Sequence, residues 1–152
     1  MSSQPIRVGS PYHELVKPIS VRTKIALVAE VLLAYCRVRW LLWRKDVRTV
    51  VVQLRGSGPR TTDPHRQAVG ARLGFAVCRT LRLLPFDGRC LVRSLVLTSM
   101  LARRGIDSVL IIGVKVQPDF SAHAWVESGG RPLLPPLGYS GESAHSSRLV
   151  EL

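Results

Sequence analysis

The chain has 152 residues, of which 46% are hydrophobic and 21% are charged. This length fills about one ordinary domain and excludes a multidomain assembly, and the long apolar runs argue against intrinsic disorder. The formal charge of +12 is concentrated between Arg37 and Arg104, where there are 15 basic and 3 acidic residues, so the composition is compatible with an anionic partner.

The cysteine content argues against a disulfide framework or a zinc ribbon. Cys36, Cys78 and Cys90 form no CxxC pair and follow no secretory signal. The apolar run from Ile25 to Trp43 is interrupted by charged residues before it reaches the roughly 18 to 20 apolar residues that a membrane span needs. We therefore predict a soluble, cytoplasmic protein without a membrane span.

The N-terminal part begins with residues 1–19, where three prolines, a glycine and several serines predict a flexible arm. From Ser20, a plausible N-cap, apolar residues recur at helical spacing and predict one long helix over residues 20–44. The run 47–54 is rich in Val and Leu without a clear period, so it fits either a strand or a continued helix.

A second amphipathic segment is predicted over residues 65–84, after a loop rich in Gly, Ser and Pro. Asp63 is its natural N-cap and Pro64 its first helical residue. Pro85 closes it, because proline cannot continue a helix.

A third helix is predicted from Cys90. Asp87 lies three residues upstream as a candidate N-cap, and apolar residues follow at helical spacing. Arg103 and Arg104 before Gly105 are typical of a last helical turn with a glycine cap.

An antiparallel sheet is predicted after this helix. Residues 108–116 are β-branched and apolar, as in a buried strand, and 117–119 form a turn. Residues 121–128 alternate, and Gly129-Gly130 is a hairpin signal leading into 131–134. One face of the second strand carries Ser121, His123, Trp125 and Glu127, and the other carries Ala122, Ala124 and Val126.

Together these elements predict an α+β fold, with a helical N-terminal half, a helix bearing Cys90 and a small antiparallel sheet. We expect a single domain over residues 20–152 after the arm. Its predicted parts are a helical part at 20–84, a catalytic core at 85–134 and a C-terminal tail at 135–152.

Cys90 and His123 are the candidate catalytic residues. A thiolate is a strong nucleophile where its pKa is lowered, and the first turn of a helix lowers it through unpaired N–H groups and the helix dipole. Cys90 is placed at such a turn. His123, on a strand two elements later, is the candidate general base and acid. Backbone N–H groups near Cys90 are candidate donors to an oxyanion.

These residues belong to a longer pattern. The run from Cys90 to Ile106, then Ile111-Ile-Gly-Val, then Ala122-His-Ala-Trp-Val-Glu127 with Gly130-Arg-Pro, closely resembles the lasso peptide biosynthesis B2 proteins. The resemblance covers about residues 85–134. It implies a transglutaminase-like, papain-like core.

The resemblance also implies a function. Proteins of this family are cysteine peptidases that cut the leader from a ribosomally made precursor peptide at its junction with the core. A separate leader-recognition protein of the B1 type and an asparagine-synthetase-like cyclase are the implied partners, and 152 residues leave no room for an attached recognition domain. No metal and no organic cofactor is implied.

The third member of a catalytic triad is not identified. Family members carry an Asp about a dozen residues beyond the histidine, whereas this chain has Leu133-Leu-Pro-Pro136 there and no carboxylate before Glu142. Glu127 lies about 13 Å along the strand from His123 and cannot touch its ring directly. A backbone carbonyl, a displaced Glu142 or a simple Cys-His dyad are the alternatives.

Trp125, beside His123, and Arg89 and Leu91, on either side of Cys90, are candidate residues of the substrate cleft. Cys36 and Cys78 lie inside helical patterns without such a context, so they are expected to belong to the core or to be neutral.

Three other functions compete with a peptidase. The missing acid favours an inactive scaffold that binds precursor and cyclase. The +12 charge suggests a nucleic-acid-binding protein, although no nucleic-acid motif or aromatic platform is present. An amide acyltransferase would use the same dyad, because an amine can resolve an acyl-enzyme in place of water.

Overall fold

The computed structural model describes residues 20–56, 58–61, 63–84, 90–115, 121–133 and 147–151. Within these ranges four helices precede an antiparallel sheet, so the predicted α+β class is confirmed. The helices are α1 (Val21–Arg44), α2 (Val47–Arg55), α3 (Pro64–Leu81) and α4 (Cys90–Arg103). The strands are β1 (Val109–Lys115), β2 (Ser121–Ser128), β3 (Arg131–Pro132) and β4 (Ser147–Glu151), in the spatial order β3-β2-β1-β4.

The first helix has nearly the predicted bounds, but its cap differs. Ser20 occupies the N-cap position of α1, yet its side chain makes no capping hydrogen bond. One face of the helix is buried against α2, α3 and α4. No helix in the described ranges is long and apolar enough to cross a membrane.

The ambiguous run 47–54 is the helix α2. Asp46 caps it by accepting a hydrogen bond from the backbone N–H of Thr49 at 2.9 Å. Val50, Val51 and Leu54 are buried while Val52 is 68% exposed, so burial follows a helical rather than a strand period.

The N-terminus of α3 is confirmed. Asp63 accepts a hydrogen bond from the backbone N–H of Arg66 at 2.8 Å, and Pro64 is the first helical residue. The helix ends at Leu81, three residues before the predicted end, and residues 82–84 form a turn. Pro85 and the proposed cap Asp87 lie outside the described residues.

The central element is α4, which packs against every other helix and against β1 and β2. Residues 94–101 are all buried, so this helix has no solvated face along that stretch. It ends as predicted, because Gly105 has a φ of +63° and Ile106 N–H donates to Leu101 O at 3.0 Å.

The sheet has the predicted hairpin and alternation, and one strand that was not predicted. Ala124 and Val126 of β2 belong to the helix-side core, which places His123, Trp125 and Glu127 on the opposite face. The hairpin glycines have positive φ, at 56° for Gly129 and 72° for Gly130. The strand β4 lies inside the predicted tail 135–152 and pairs with β1. The arm 1–19 and the turn 117–119 lie outside the described residues.

Candidate active site

The structure brings Cys90 against the strand segment that carries His123. Cys90 is the first residue of α4 and is half-buried. Its Sγ accepts a hydrogen bond from the backbone N–H of Ala124 at 3.3 Å and lies 4.0 Å from the carbonyl oxygen of Ala122. Two bonds join Ala124 N to the His123 Cα, so the sulfur lies within about 6 Å of that Cα.

The open edge of β2 explains why the Cys90 thiol lies against Ala122 and Ala124. The backbone groups of Ala122 and Ala124 point away from β1, and the two-residue strand β3 is registered only with residues 127 and 128. Buried backbone groups need partners. The first turns of α4 supply these partners for Ala124: Cys90 Sγ accepts from its N–H, and Ser94 Oγ donates to its carbonyl oxygen.

Ser94 is a site-building residue that the sequence analysis missed. It is fully buried, and its Oγ donates to Ala124 O at 3.0 Å. Cys90 and Ser94 are four residues apart, so they lie on one face of α4 and hold the N–H and the C=O of the same residue. A serine four residues after the candidate nucleophile, on the same face of the predicted helix, was the sequence signal that could have identified it.

The imidazole of His123 is half-buried on the face of β2 away from the helices. Burial lowers its pKa below the usual 6.5, because removal from water disfavours the charged form. The ring is therefore mainly neutral at pH 7, the form that accepts a proton.

Trp125 and Glu127 form a hydrogen-bonded pair on the face of β2 that carries His123. The Trp125 indole lies with its ring centroid 6.5 Å from that of His123 and an interplanar angle of 27°. Its Nε1 donates to Glu127 Oε1 at 2.8 Å. Glu127 is only 9% exposed, so its carboxylate is nearly buried although it lies near the end of β2.

The remaining candidate residues are less informative. Leu91 is half-buried and packs against the hydrophobic core. Arg89 and residues 134–146, which include Glu142, lie outside the described residues. A cavity of about 180 Å³ lies at the other end of β1 and β2, lined by Asp107, Ser108, Glu127 and Gly130 among others, and neither Cys90 nor His123 lines it.

The other two cysteines have different environments. Cys36 is exposed on α1. Cys78 is half-buried in α3, and burial raises the pKa of its thiol, which makes it a poor nucleophile at neutral pH.

A thiol at the start of a helix, set against an antiparallel strand with a histidine, defines the papain-like and transglutaminase-like class of core. The family model of the transglutaminase-like superfamily matches residues 32–144, and the chain belongs to that superfamily. A stretch of 48 residues is 48% identical to the microcin J25-processing protein McjB of Escherichia coli. That stretch is 32% of this chain and 23% of McjB, so the match spans about a quarter of the relative. No solved structure matches the chain significantly.

These findings support the resemblance to the lasso peptide biosynthesis B2 proteins.

Proposed function

We propose that this protein is a cytoplasmic cysteine peptidase that removes the leader from a lasso peptide precursor at the leader/core junction. The observation that carries the proposal is the contact of Cys90 Sγ with the backbone on both sides of His123. The superfamily membership and the local identity to a processing protein support the same function.

The proposed reaction requires the His123 imidazole, on the face of β2 away from the helices, to reach the Cys90 thiol past the open edge of that strand. His123 takes the thiol proton, and Cys90 Sγ attacks the carbonyl carbon of the last leader residue. The resulting oxyanion is stabilised by unpaired N–H groups of the first turn of α4. His123 then protonates the leaving amine, which frees the core peptide and leaves the leader as a thioester on Cys90. Water, deprotonated by His123, hydrolyses that thioester.

The partners of the proposed reaction come from the resemblance. They are the precursor peptide, a separate B1-type recognition protein that presents the leader, and an asparagine-synthetase-like cyclase that uses the freed core. None of these roles needs a metal or an organic cofactor.

The test is mass spectrometry of the cognate precursor incubated with this protein and the recognition protein. We expect a leader-sized fragment with the wild type and none with Cys90→Ala or His123→Ala. Cys36→Ala is the matched control, because this cysteine is exposed on α1, and it should cleave like the wild type. A precursor that stays intact with the wild type despite confirmed binding overturns the proposal.

A scaffold that binds precursor and cyclase is the second candidate, and the segment after β3 favours it. Leu133, which opens the stretch where the family carries its acid, is 5% exposed and packs against α3. This residue builds the core and presents no carboxylate. The scaffold predicts stable precursor binding without cleavage, and no covalent adduct at Cys90 with a peptide aldehyde that ends in the last leader residue.

A further inference from the structure

The long helix α1 carries a second apolar face that no other described element covers. Its buried residues, Val31, Ala34, Val38 and Leu41, face the other helices. On the opposite side, residues spaced by three or four positions are exposed along the whole helix. This outer stripe consists of Val21, Ile25, Val28, Leu32 and Trp43, which are 69, 64, 42, 36 and 81% exposed, with the exposed Cys36 and Arg39 between the last two.

The outer stripe differs from the scattered apolar residues found on most protein surfaces. Single exposed apolar side chains are ordinary, whereas a row of neighbouring exposed apolar side chains, such as the four from Val21 to Leu32, marks an interaction surface. Spacings of three and four residues form a seam about 33 Å long, at 1.5 Å per residue, which matches one face of a second helix of similar length.

The charges around the outer stripe are almost all positive. The helix has one acidic residue, Glu30, which already forms a bidentate pair with Arg104 at 2.7 and 2.8 Å. Its basic residues are Arg22, Lys24, Arg37, Arg39 and Arg44, and the guanidinium of Arg44 lies over the rings of Trp40 and Trp43 at 4.8 and 5.9 Å. A partner surface therefore meets cations near both ends of the stripe.

We propose that the outer stripe of α1 docks an amphipathic helix of another protein, one with an apolar seam flanked by Asp and Glu. Acidic flanks complement the cations of α1 and would steer association. A second copy of this chain is a poor occupant, because pairing two α1 helices brings their cations together. Arg39 lies within the stripe, where a partner carboxylate can pair with it while a lipid surface would have to accommodate it among acyl chains.

The experiment uses the full chain and a fluorescent synthetic helix of about 25 residues with a leucine seam and glutamate flanks, measured by fluorescence anisotropy. Two control helices keep either the leucine seam with lysine flanks or the glutamate flanks with a serine seam. We expect the acidic leucine helix to bind and both controls to bind at least about tenfold more weakly, because the site needs charge and apolar contact together.

Protein variants locate the binding on α1. The double variant Ile25→Gln with Leu32→Gln should weaken binding of the acidic leucine helix at least about tenfold. Leu33→Gln is the matched control, since Leu33 is 70% exposed on the same helix but lies about 100° around it, and it should bind like the wild type. Arg39→Glu should weaken the acidic helix and strengthen the lysine-flanked one.

Three results would overturn the proposal. One is equal binding by the wild type and the double variant, with both shown to be folded by circular dichroism. Another is a dimer of the wild type in light scattering that the double variant loses, which would assign the stripe to a second copy. The last is binding to vesicles of phosphatidylcholine and phosphatidylglycerol that depends on Ile25 and Leu32 when binding to the acidic helix does not.

Discussion

The Nε1 of Trp125 donates a hydrogen bond to Oε1 of Glu127 at 2.8 Å, on the same face of β2 as His123. The carboxylate is nearly buried, and the indole it holds lies against the imidazole. Glu127 is too far along the strand to touch the His123 ring. Trp125 therefore connects Glu127 with the imidazole.

Replacing Glu127 separates its hydrogen bond from its charge. Glu127→Leu removes the acceptor and leaves the indole N–H unpaired, so we expect a loss of about 1–3 kcal/mol in the free energy of unfolding. The freed indole exposes His123 more, so the pKa of His123 should rise toward 6.5. Both effects are measured by urea denaturation and by NMR titration of the His123 ring protons.

Glu127→Gln is the matched control for this prediction. The amide oxygen still accepts from Trp125, so the pKa of His123 should stay close to its wild-type value. If the Leu and Gln variants shift that pKa equally, the Trp125–Glu127 hydrogen bond does not position the imidazole. The NMR readout does not depend on cleavage, so it tests the positioning role even in an inactive protein.

The burial of His123 also predicts how stability depends on pH. Its pKa is lowered in the folded state, so between 6.5 and that lower value the unfolded chain binds a proton that the native protein does not. The contribution of His123 to the free energy of unfolding is fully present above about 6.5 and is lost as the pH falls below it. His123→Gln should flatten this decline in urea titrations between pH 7.5 and 5.5.

His65 provides the control for the pH experiment, because it is exposed at the start of α3. His65→Gln should keep the wild-type decline. The neutral imidazole is the proposed base, so the acidic limb of kcat/KM for leader cleavage should also lie below about 6.5. An unchanged decline in His123→Gln would mean that another group causes it.

Local signals explain which parts of the fold could be predicted from the sequence. The start of α3, the glycine cap of α4 and the Gly129-Gly130 hairpin depend on residues a few positions apart, and the structure has all three. The sequence did not show whether residues 47–54 form a strand or the helix α2, because the Val and Leu residues there have no clear period. The helical period becomes visible only in which side chains the core buries. Tertiary packing decided that choice.

Contacts between residues far apart in the sequence explain why β4 and the role of Ser94 were not predicted. The strand β4 pairs with β1, more than 30 residues earlier in the chain, and no local pattern reports such a pairing. Ser94 finds its acceptor 30 residues later, at Ala124. Sequence spacing indicated Cys90 and His123, but it could not show that the edge of β2 is completed by side chains of α4.

Ser94→Ala tests this connection between α4 and β2. The change leaves the buried carbonyl of Ala124 without its hydroxyl donor, so we expect a loss of about 1–2 kcal/mol in the free energy of unfolding. Leader cleavage should also fall, because Cys90 is held at the same residue. Urea denaturation and the mass-spectrometric assay measure the two effects.

Thr98→Val is the comparison for Ser94→Ala. The Thr98 hydroxyl is equally buried, but it donates at 2.9 Å to Ser94 O within the same helix. Its loss should cost less stability and leave cleavage unchanged, since that carbonyl keeps its helical N–H partner. Equal effects of the two substitutions would show that Ser94 contributes only as a buried hydroxyl.

Helix α3 packs closely against the backbone of Leu133, the residue after β3. A methyl group on Gly74 would overlap the backbone oxygen of Leu133, whereas one on Gly70 would lie 3.0 Å from the Leu133 Cδ1. The backbone at Leu133 is fixed by its N–H, which donates to Val126 O at 2.8 Å. A side-chain methyl can rotate away, and this oxygen cannot.

Gly74→Ala should therefore lower the free energy of unfolding by about 1–3 kcal/mol, despite the better helix propensity of alanine. Gly70→Ala should be nearly neutral, because the propensity gain of up to about 1 kcal/mol offsets a small rearrangement of Leu133. Thermal or urea denaturation of the two variants measures the difference. Leu133 is hydrogen-bonded to Val126 of β2, the strand that also carries His123, so cleavage should fall more in Gly74→Ala than in Gly70→Ala. Equal stability of the two variants would mean that the backbone at Leu133 moves to accommodate a methyl group on α3.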